Sequence, residues 1–167
     1  MEKRVPYTPL QKAAEIFLAV LAVSMLVVLA VLWPSVPDTI PQHYNFQGEA
    51  DAWGSKNILW VFPCIGFGAY LLMTIVGFLP TGCWNMPVTV TPRNYVFVYS
   101  TTRSMLLWVK LWLISMFYYL SVSTALSQNV GLWFSFAVFG VLAVIMTYYI
   151  VRIRRGAKRI QLMDEDE

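Results

Sequence analysis

The sequence predicts an all-α integral membrane protein, a four-helix transmembrane bundle with an ordered extracytoplasmic loop between its first and second spans. The chain is 58% hydrophobic and only 13% charged, whereas soluble domains have roughly 45–50% apolar and about 25% charged residues. Its mean hydropathy is +0.59. The apolar residues form four runs, each close to the ~20 residues that cross a ~30 Å hydrocarbon core: residues 14–33, 58–79, 105–126 and 132–151.

The first run is predicted to be a retained span. Its apolar stretch is longer than the roughly 7–15 residues of a typical signal-peptide core, and no small-x-small cleavage site precedes Trp33. Residues 1–167 are therefore expected to form a single membrane domain.

Basic residues predict the orientation of the spans. The basic residues outside the apolar runs lie in the two terminal segments and in the middle connection, and Lys56 is the one exception. They are Lys3, Arg4, Lys12, Arg93, Arg103, Arg152, Arg154, Arg155, Lys158 and Arg159. Because cytoplasmic loops are enriched in Lys and Arg, we expect both termini, loop 80–104 and tail 152–167 in the cytoplasm, and loop 34–57 outside. The net charge of +3 then reflects topology. The expected partner is the lipid bilayer, and no nucleic acid is expected.

The other connections carry weaker signals. Loop 80–104 contains three prolines and alternating aromatic residues, which favour a segment lying on the bilayer surface over a free strand, since two isolated strands are marginally stable. The tail 152–167 is expected to be solvated and loosely ordered. Residues 127–131 are too few to do more than reverse the chain direction.

Glu15 and Lys110 interrupt apolar runs. An ionisable residue at membrane depth indicates a functional site by default, and both residues are predicted to lie in the cytoplasmic half, where an ion pair is geometrically possible. Two other interpretations remain open. In the first, Glu15 is a favourable negative charge in the first turn of a helix. In the second, Lys110 extends its ammonium to the headgroups.

The loop 34–57 has the densest set of chemically equipped side chains. Polar residues occupy every second position: His43, Asn45, Gln47, Glu49 and Asp51. In an extended segment these five would share one face, although Gly48 is equally compatible with a turn in the middle. Three prolines stiffen the approach, and Gly54 indicates a further turn.

Three interpretations of this loop remain open. Its side chains bond to one another and to the helix ends as a structural lid, they recognise an external ligand, or they hold a divalent metal. The candidate metal ligands are His43, Glu49 and Asp51, which barely meet the three or four ligands of a metal site. No cofactor is predicted beyond this option.

The loop also resembles a known family. Its residues follow the pattern LPxxIPxHxNxxGxxDxxGxK over about twenty positions, with Val36 in place of the first leucine: Pro37, Ile40, Pro41, His43, Asn45, Gly48, Asp51, Gly54 and Lys56. This pattern is similar to that of a bacterial membrane-domain family of unknown function, which also forms the first part of Sdp-type toxin-immunity proteins. The resemblance implies a helical bundle in a bacterial plasma membrane. The Sdp-type proteins protect cells from a secreted membrane-active toxin and relay its presence by sequestering a repressor.

The favoured hypothesis is a non-enzymatic envelope sensor, toxin-immunity protein or accessory factor. The outward loop then binds a secreted peptide or toxin, and the cytoplasmic segments contact a regulator. The alternative is a small transporter or channel that acts as a homo-oligomer through Glu15 and Lys110. A third hypothesis is a metal-dependent enzyme acting on lipid or cell-wall precursors through His43 and Asp51. It is weaker because the only histidine has no nucleophile motif beside it.

Overall fold

The computed structural model describes residues 5–165. Four helices and one two-stranded sheet follow one another along the chain: α1 (Pro9–Leu32), β1 (Thr39–Tyr44), β2 (Ala50–Ser55), α2 (Val61–Phe78), α3 (Tyr95–Ala125) and α4 (Leu132–Glu165). Short 3₁₀ turns lie at Trp33–Ser35, Lys56–Trp60 and Thr81–Cys83. Lys3 and Arg4, which contribute to the predicted orientation, and residues 166–167 of the tail lie outside the described residues.

The four predicted spans are confirmed as four helices that are long and apolar enough to cross a membrane. Large apolar side chains are exposed on the outer surface of the helices, for example Ile16, Ile75 and Phe139. A soluble protein rarely exposes so much contiguous apolar surface, whereas lipid tails solvate it. The chain is a multi-pass membrane protein.

Helix α3 is the centre of the bundle. It packs against α1, α2 and α4, while α4 packs chiefly against α3 and scarcely against α1. The core between α1 and α3 is formed by Leu18, Ala22, Leu107 and Ile114. One side of the bundle, between α1 and α4, is therefore left open over α3.

The helices extend beyond the predicted spans at the end of the bundle that carries the basic residues. Helix α1 starts at Pro9 because Thr8 caps it: the Thr8 hydroxyl accepts a hydrogen bond from the Gln11 backbone N–H, and the Gln11 side chain accepts one from the Thr8 N–H. This reciprocal pair satisfies two backbone donors that the first turn leaves free.

Helix α3 begins at Tyr95 rather than at residue 105, so residues 95–104, expected to belong to the loop 80–104 on the bilayer surface, are helical. Helix α4 continues to Glu165, so the tail expected to be loosely ordered is helical. Both extensions have one physical cause, since Val98 of α3 packs with Ile153 and Ala157 of α4 in a small apolar cluster. Local sequence patterns do not reveal contacts between such distant residues.

The all-α prediction misses one element. Strands β1 and β2 pair antiparallel, with Thr39 opposite Ser55 and Tyr44 opposite Ala50. The register shifts on either side of His43, which disturbs the regular alternation of faces. We call residues 33–60 the hairpin segment, and the opposite end of the bundle the basic end.

Candidate functional site

The hairpin segment is anchored to the bundle by apolar side chains. Ile40 is completely buried and lies with Val36, Leu29, Leu59 and Ala125 in one cluster. Burying such an aliphatic side chain contributes about 1.5–3 kcal/mol. This apolar base positions the polar side chains of the hairpin above the end of the bundle.

Asn45 and Gly48 form the turn between the strands. The Gly48 backbone N–H donates to the Asn45 carbonyl at 2.9 Å, and the Asn45 side chain accepts from the Glu49 N–H at 3.0 Å. Gly48 has φ +78, a conformation that favours glycine. Of the two arrangements that the sequence leaves open, the structure has the turn, so the five alternating polar residues do not share one extended face.

The turn also docks onto the connection between α3 and α4. The Gly48 carbonyl accepts hydrogen bonds from the N–H groups of Val130 and Gly131, at 2.9 and 3.3 Å. A Cβ atom on Gly48 would lie 2.5 Å from the Gly131 backbone, so glycine is required for a second reason. The Asn129 side-chain oxygen accepts from the Ala50 N–H at 3.0 Å.

The connection 127–131 was expected only to reverse the chain, and this expectation is wrong: it binds the hairpin. Tyr44 adds to the same contact, because its hydroxyl lies 3.0 Å from the Thr124 hydroxyl and donates to the Gln128 carbonyl at 3.2 Å. Burial raises the pKa of the Tyr44 hydroxyl above its ordinary value.

Two hairpin side chains form an exposed pair. His43 Nδ1 lies 2.6 Å from Asp51 Oδ1, and their side chains are 69% and 44% exposed. Surface ion pairs contribute about 0–1 kcal/mol to stability, so this pair is not needed to hold the hairpin together. It is a hydrogen-bonding unit that a partner can reach.

Exposed aromatic rings accompany this pair on the hairpin segment. Phe46 is 61% exposed in the turn and Trp53 is 53% exposed on β2. Phe46 contacts Phe136 of α4 edge-on, with ring centroids 5.5 Å apart, and its carbonyl accepts from the Ser135 hydroxyl at 2.9 Å. Aromatic side chains beside hydrogen-bonding groups are typical of protein recognition surfaces.

The remaining predicted residues of this loop have structural contacts. Lys56 Nζ lies 2.8 Å from Asp38 Oδ1 and 5.5 Å from the centroid of the Trp33 ring. The pKa of the Asp38 carboxyl is lowered below 3.8, mainly by the hydrogen bond from the Lys56 ammonium and secondly by the positive charge of that group. Gly54 lies against the end of the Gln42 side chain, which a Cβ atom at this position would displace.

The three candidate metal ligands do not converge. His43 contacts Asp51, whereas the Glu49 carboxylate accepts from the Asn45 side chain at 3.3 Å. Within residues 5–165, no group of three or more His, Cys, Asp or Glu side chains is arranged to hold a metal ion. The geometry brings together two of the three proposed ligands.

A second polar cluster lies inside the bundle. Lys110 Nζ donates to both Glu15 carboxylate oxygens at 2.6 Å and to the Thr74 hydroxyl at 3.2 Å. The Lys110 side chain is 1% exposed and its Nζ lies 5.6 Å from the centroid of the Tyr70 ring. The cluster therefore ties α1, α2 and α3 together.

This arrangement corrects two of the open interpretations. Lys110 does not extend to the headgroups, because its ammonium points into the bundle and is saturated by protein acceptors. Glu15 is not in the first turn of a helix, since α1 begins at Pro9. The third possibility, the ion pair, is the arrangement that the structure contains.

Sequence inspection missed several residues of both sites. Thr74 supplies an acceptor in the buried cluster, and Tyr44, Thr124 and Asn129 fasten the hairpin. Thr74 could have been identified from the sequence, because it is a polar residue inside an apolar run. Asn129 has none, because a polar residue in a short turn is ordinary.

One family matches part of the chain: the profile described as Domain of unknown function (DUF1648) covers residues 20–67. The matched residues span the second half of α1, the whole hairpin and the first turns of α2. No curated protein and no solved structure is significantly similar to the chain. The match agrees with a membrane domain family of unknown function.

Proposed function

We propose that this chain is a non-enzymatic bacterial plasma-membrane protein, an envelope sensor or toxin-immunity factor whose hairpin binds a ligand outside the cell. In this proposal both termini are cytoplasmic, and the ligand is a secreted peptide or toxin. The proposal extends the similarity to the DUF1648 domain at residues 20–67 and the resemblance of the hairpin sequence to Sdp-type proteins.

The observation that carries the proposal is the exposed His43–Asp51 pair on a hairpin fixed at several points. A ligand that meets a preformed site loses less affinity to the ordering of that site. The pair offers hydrogen-bonding groups, and the half-exposed Trp53 offers apolar area. A peptide with polar and apolar side chains has the matching chemistry.

The contacts below the hairpin supply a route for reporting occupancy. The turn is bonded to Val130 and Gly131, immediately before the start of α4. Helix α4 has 34 residues, which at 1.5 Å per residue is roughly 50 Å, and its far end carries exposed basic residues. A displacement of the α3–α4 connection on binding would therefore reach the cytoplasmic side, where a regulator would bind.

The test measures how well cells that express single variants are protected against the toxin. His43→Ala and Asp51→Asn should each reduce protection against the cognate secreted toxin by at least about ten-fold, the loss expected for a hydrogen bond to a charged group. Glu49→Gln is the matched control, because it changes a neighbouring exposed carboxylate that bonds only within the turn. Immunoblotting of the membrane fraction checks expression, and unchanged protection at equal expression would support the purely structural interpretation.

A second candidate function is an oligomeric transporter or channel, which the buried Lys110–Glu15 pair favours. Ionisable pairs at membrane depth occur in ion pathways. In reconstituted vesicles Glu15→Gln and Lys110→Met should then abolish flux. Full flux in both variants would eliminate this candidate while leaving the hairpin proposal untouched.

A further inference from the structure

A groove runs along the open side of the bundle, between α1 and α4 and over α3. Its volume is about 470 Å³, within the roughly 300–1,000 Å³ of ligand sites. Because α1 and α4 scarcely contact each other, the groove opens sideways, in the direction from which lipid reaches the protein.

The apolar part of the groove runs along the headgroup side of one leaflet. The walls of the groove extend from Leu10 to Leu18 on α1 and from Ser100 to Leu111 on α3. From the polar residues Gln11 and Ser104 to the inner end of the groove is roughly 10 Å on each helix at 1.5 Å per residue, about two thirds of the ~15 Å of hydrocarbon in one leaflet. The part of an acyl chain nearest its headgroup therefore fits along it.

The polarity of the groove changes along its length. Toward the bundle middle it is lined by aliphatic and aromatic side chains, including Phe17 and Leu107. At the basic end it is lined by Gln11, Ser104 and Arg152, where the Gln11 amide donates to the Ser104 hydroxyl at 3.0 Å. This gradient is that of a lipid, with an apolar chain below a polar headgroup.

Arg152 has the position and the charge to bind a phosphate. It directly follows the apolar run that ends at residue 151, and the predicted span therefore places its guanidinium at headgroup depth. One of its nitrogens donates to the Tyr148 hydroxyl at 3.2 Å, and arginine has five N–H donors. The acidic side chains among residues 5–163 lie elsewhere, Glu15 against Lys110 and the other three on the hairpin segment.

We propose that this groove binds one anionic phospholipid, with an acyl chain between α1 and α4 and its phosphate on Arg152. Arginine pairs with phosphate through two parallel hydrogen bonds, which favours an anionic headgroup over a zwitterionic one, whose own cation competes for the phosphate. The inference is independent of what the hairpin binds.

The experiment counts lipids that remain on the purified full-length chain in native mass spectrometry, after exchange into phosphatidylglycerol or phosphatidylcholine nanodiscs. One retained phosphatidylglycerol is expected. Arg152→Gln should weaken its retention about five-fold or more, the loss expected for one basic residue at an anionic membrane surface. Arg154→Gln is the matched control, because Arg154 is also exposed on α4 but does not line the groove.

A second variant tests the acyl-chain part of the site. Ala14 lines the groove, so Ala14→Phe should abolish retention of phosphatidylglycerol while Arg152 is intact. Circular dichroism verifies folding, and the smaller Ala14→Leu replaces this variant if it does not fold. Equal losses in Arg152→Gln and Arg154→Gln, retention without headgroup preference, or a dimer without bound lipid that Ala14→Phe dissociates would each overturn the proposal.

Discussion

Two close contacts between ionisable side chains in this molecule have the same length and opposite environments. His43 and Asp51 are 2.6 Å apart on the exposed hairpin, and Lys110 and Glu15 are 2.6 Å apart inside the bundle. Water and salt screen the first pair, so it stabilises little and stays available to a partner. The second pair lies where a lone charge is costly, so each member requires the other. Distance alone therefore does not identify the role of such a contact.

The largest effect should come from breaking the buried pair. Lys110→Met leaves the Glu15 carboxylate without its cation and should lower the free energy of unfolding by about 3–5 kcal/mol, measured by thermal or denaturant unfolding in detergent. The double variant Lys110→Met with Glu15→Gln should recover most of this loss, because no uncompensated charge remains. A double variant as unstable as the single one would show that packing, not charge, is responsible.

The next effect concerns the attachment of the hairpin. Gly48→Ala places a methyl group against the Gly131 backbone and forces alanine into a conformation with φ +78. Such strain costs about 1–3 kcal/mol, so the turn should separate from the α3–α4 connection. Amide hydrogen exchange of Val130 measures this separation.

Gly140→Ala provides the control for the glycine substitution. A Cβ atom on this helical glycine meets nothing within 4 Å, and alanine is favoured over glycine in helices by roughly 0.5–1 kcal/mol. This variant should leave Val130 exchange unchanged. Equal exchange in both variants would contradict the docking described for Gly48.

A smaller effect is expected from a single docking hydrogen bond. Asn129→Ala removes the acceptor of the Ala50 N–H and should cost about 0.5–1.5 kcal/mol, seen as faster exchange of the Ala50 amide. Gln47→Ala in the same turn is the comparison variant and should leave that amide unaffected.

Removing the exposed pair should affect stability still less. His43→Ala should change the free energy of unfolding by no more than about 1 kcal/mol, while it reduces the protection of cells against the toxin. A loss as large as that of Lys110→Met would place the exposed pair in the same structural class as the buried one.

The smallest effect is a pH dependence of the base of the hairpin. Because the folded-state pKa of Asp38 is lowered by Lys56, this carboxylate stabilises the hairpin above pH 3.8, and the contribution is lost as the pH falls through the lower folded-state value. Asp38→Asn should remove this acid dependence. Tryptophan fluorescence of Trp33, which lies under Lys56, can follow it in a variant lacking the other tryptophans.

Much of the fold could be predicted from the sequence because hydropathy is a local property. Apolar runs of about the right length identify the four spans, and the proline- and glycine-containing segment between the first two is identified as an ordered connection, but not as a pair of strands. The ends of the helices could not be predicted where tertiary contacts extend them. Residues 95–104 alternate like a strand but are helical, since Val98 packs against Ile153 of α4.

The sequence by itself determined that four helices are long and apolar enough to cross a membrane, which loop carries chemically equipped side chains, and which two charges interrupt apolar runs. Only the tertiary structure decided their partners: Lys110 with Glu15 and Thr74, and the turn with residues 129–131. The physical reason is that these bonds join residues far apart in the chain, and each depends on which faces of the packed helices meet. Periodicity within one segment carries no information about that meeting.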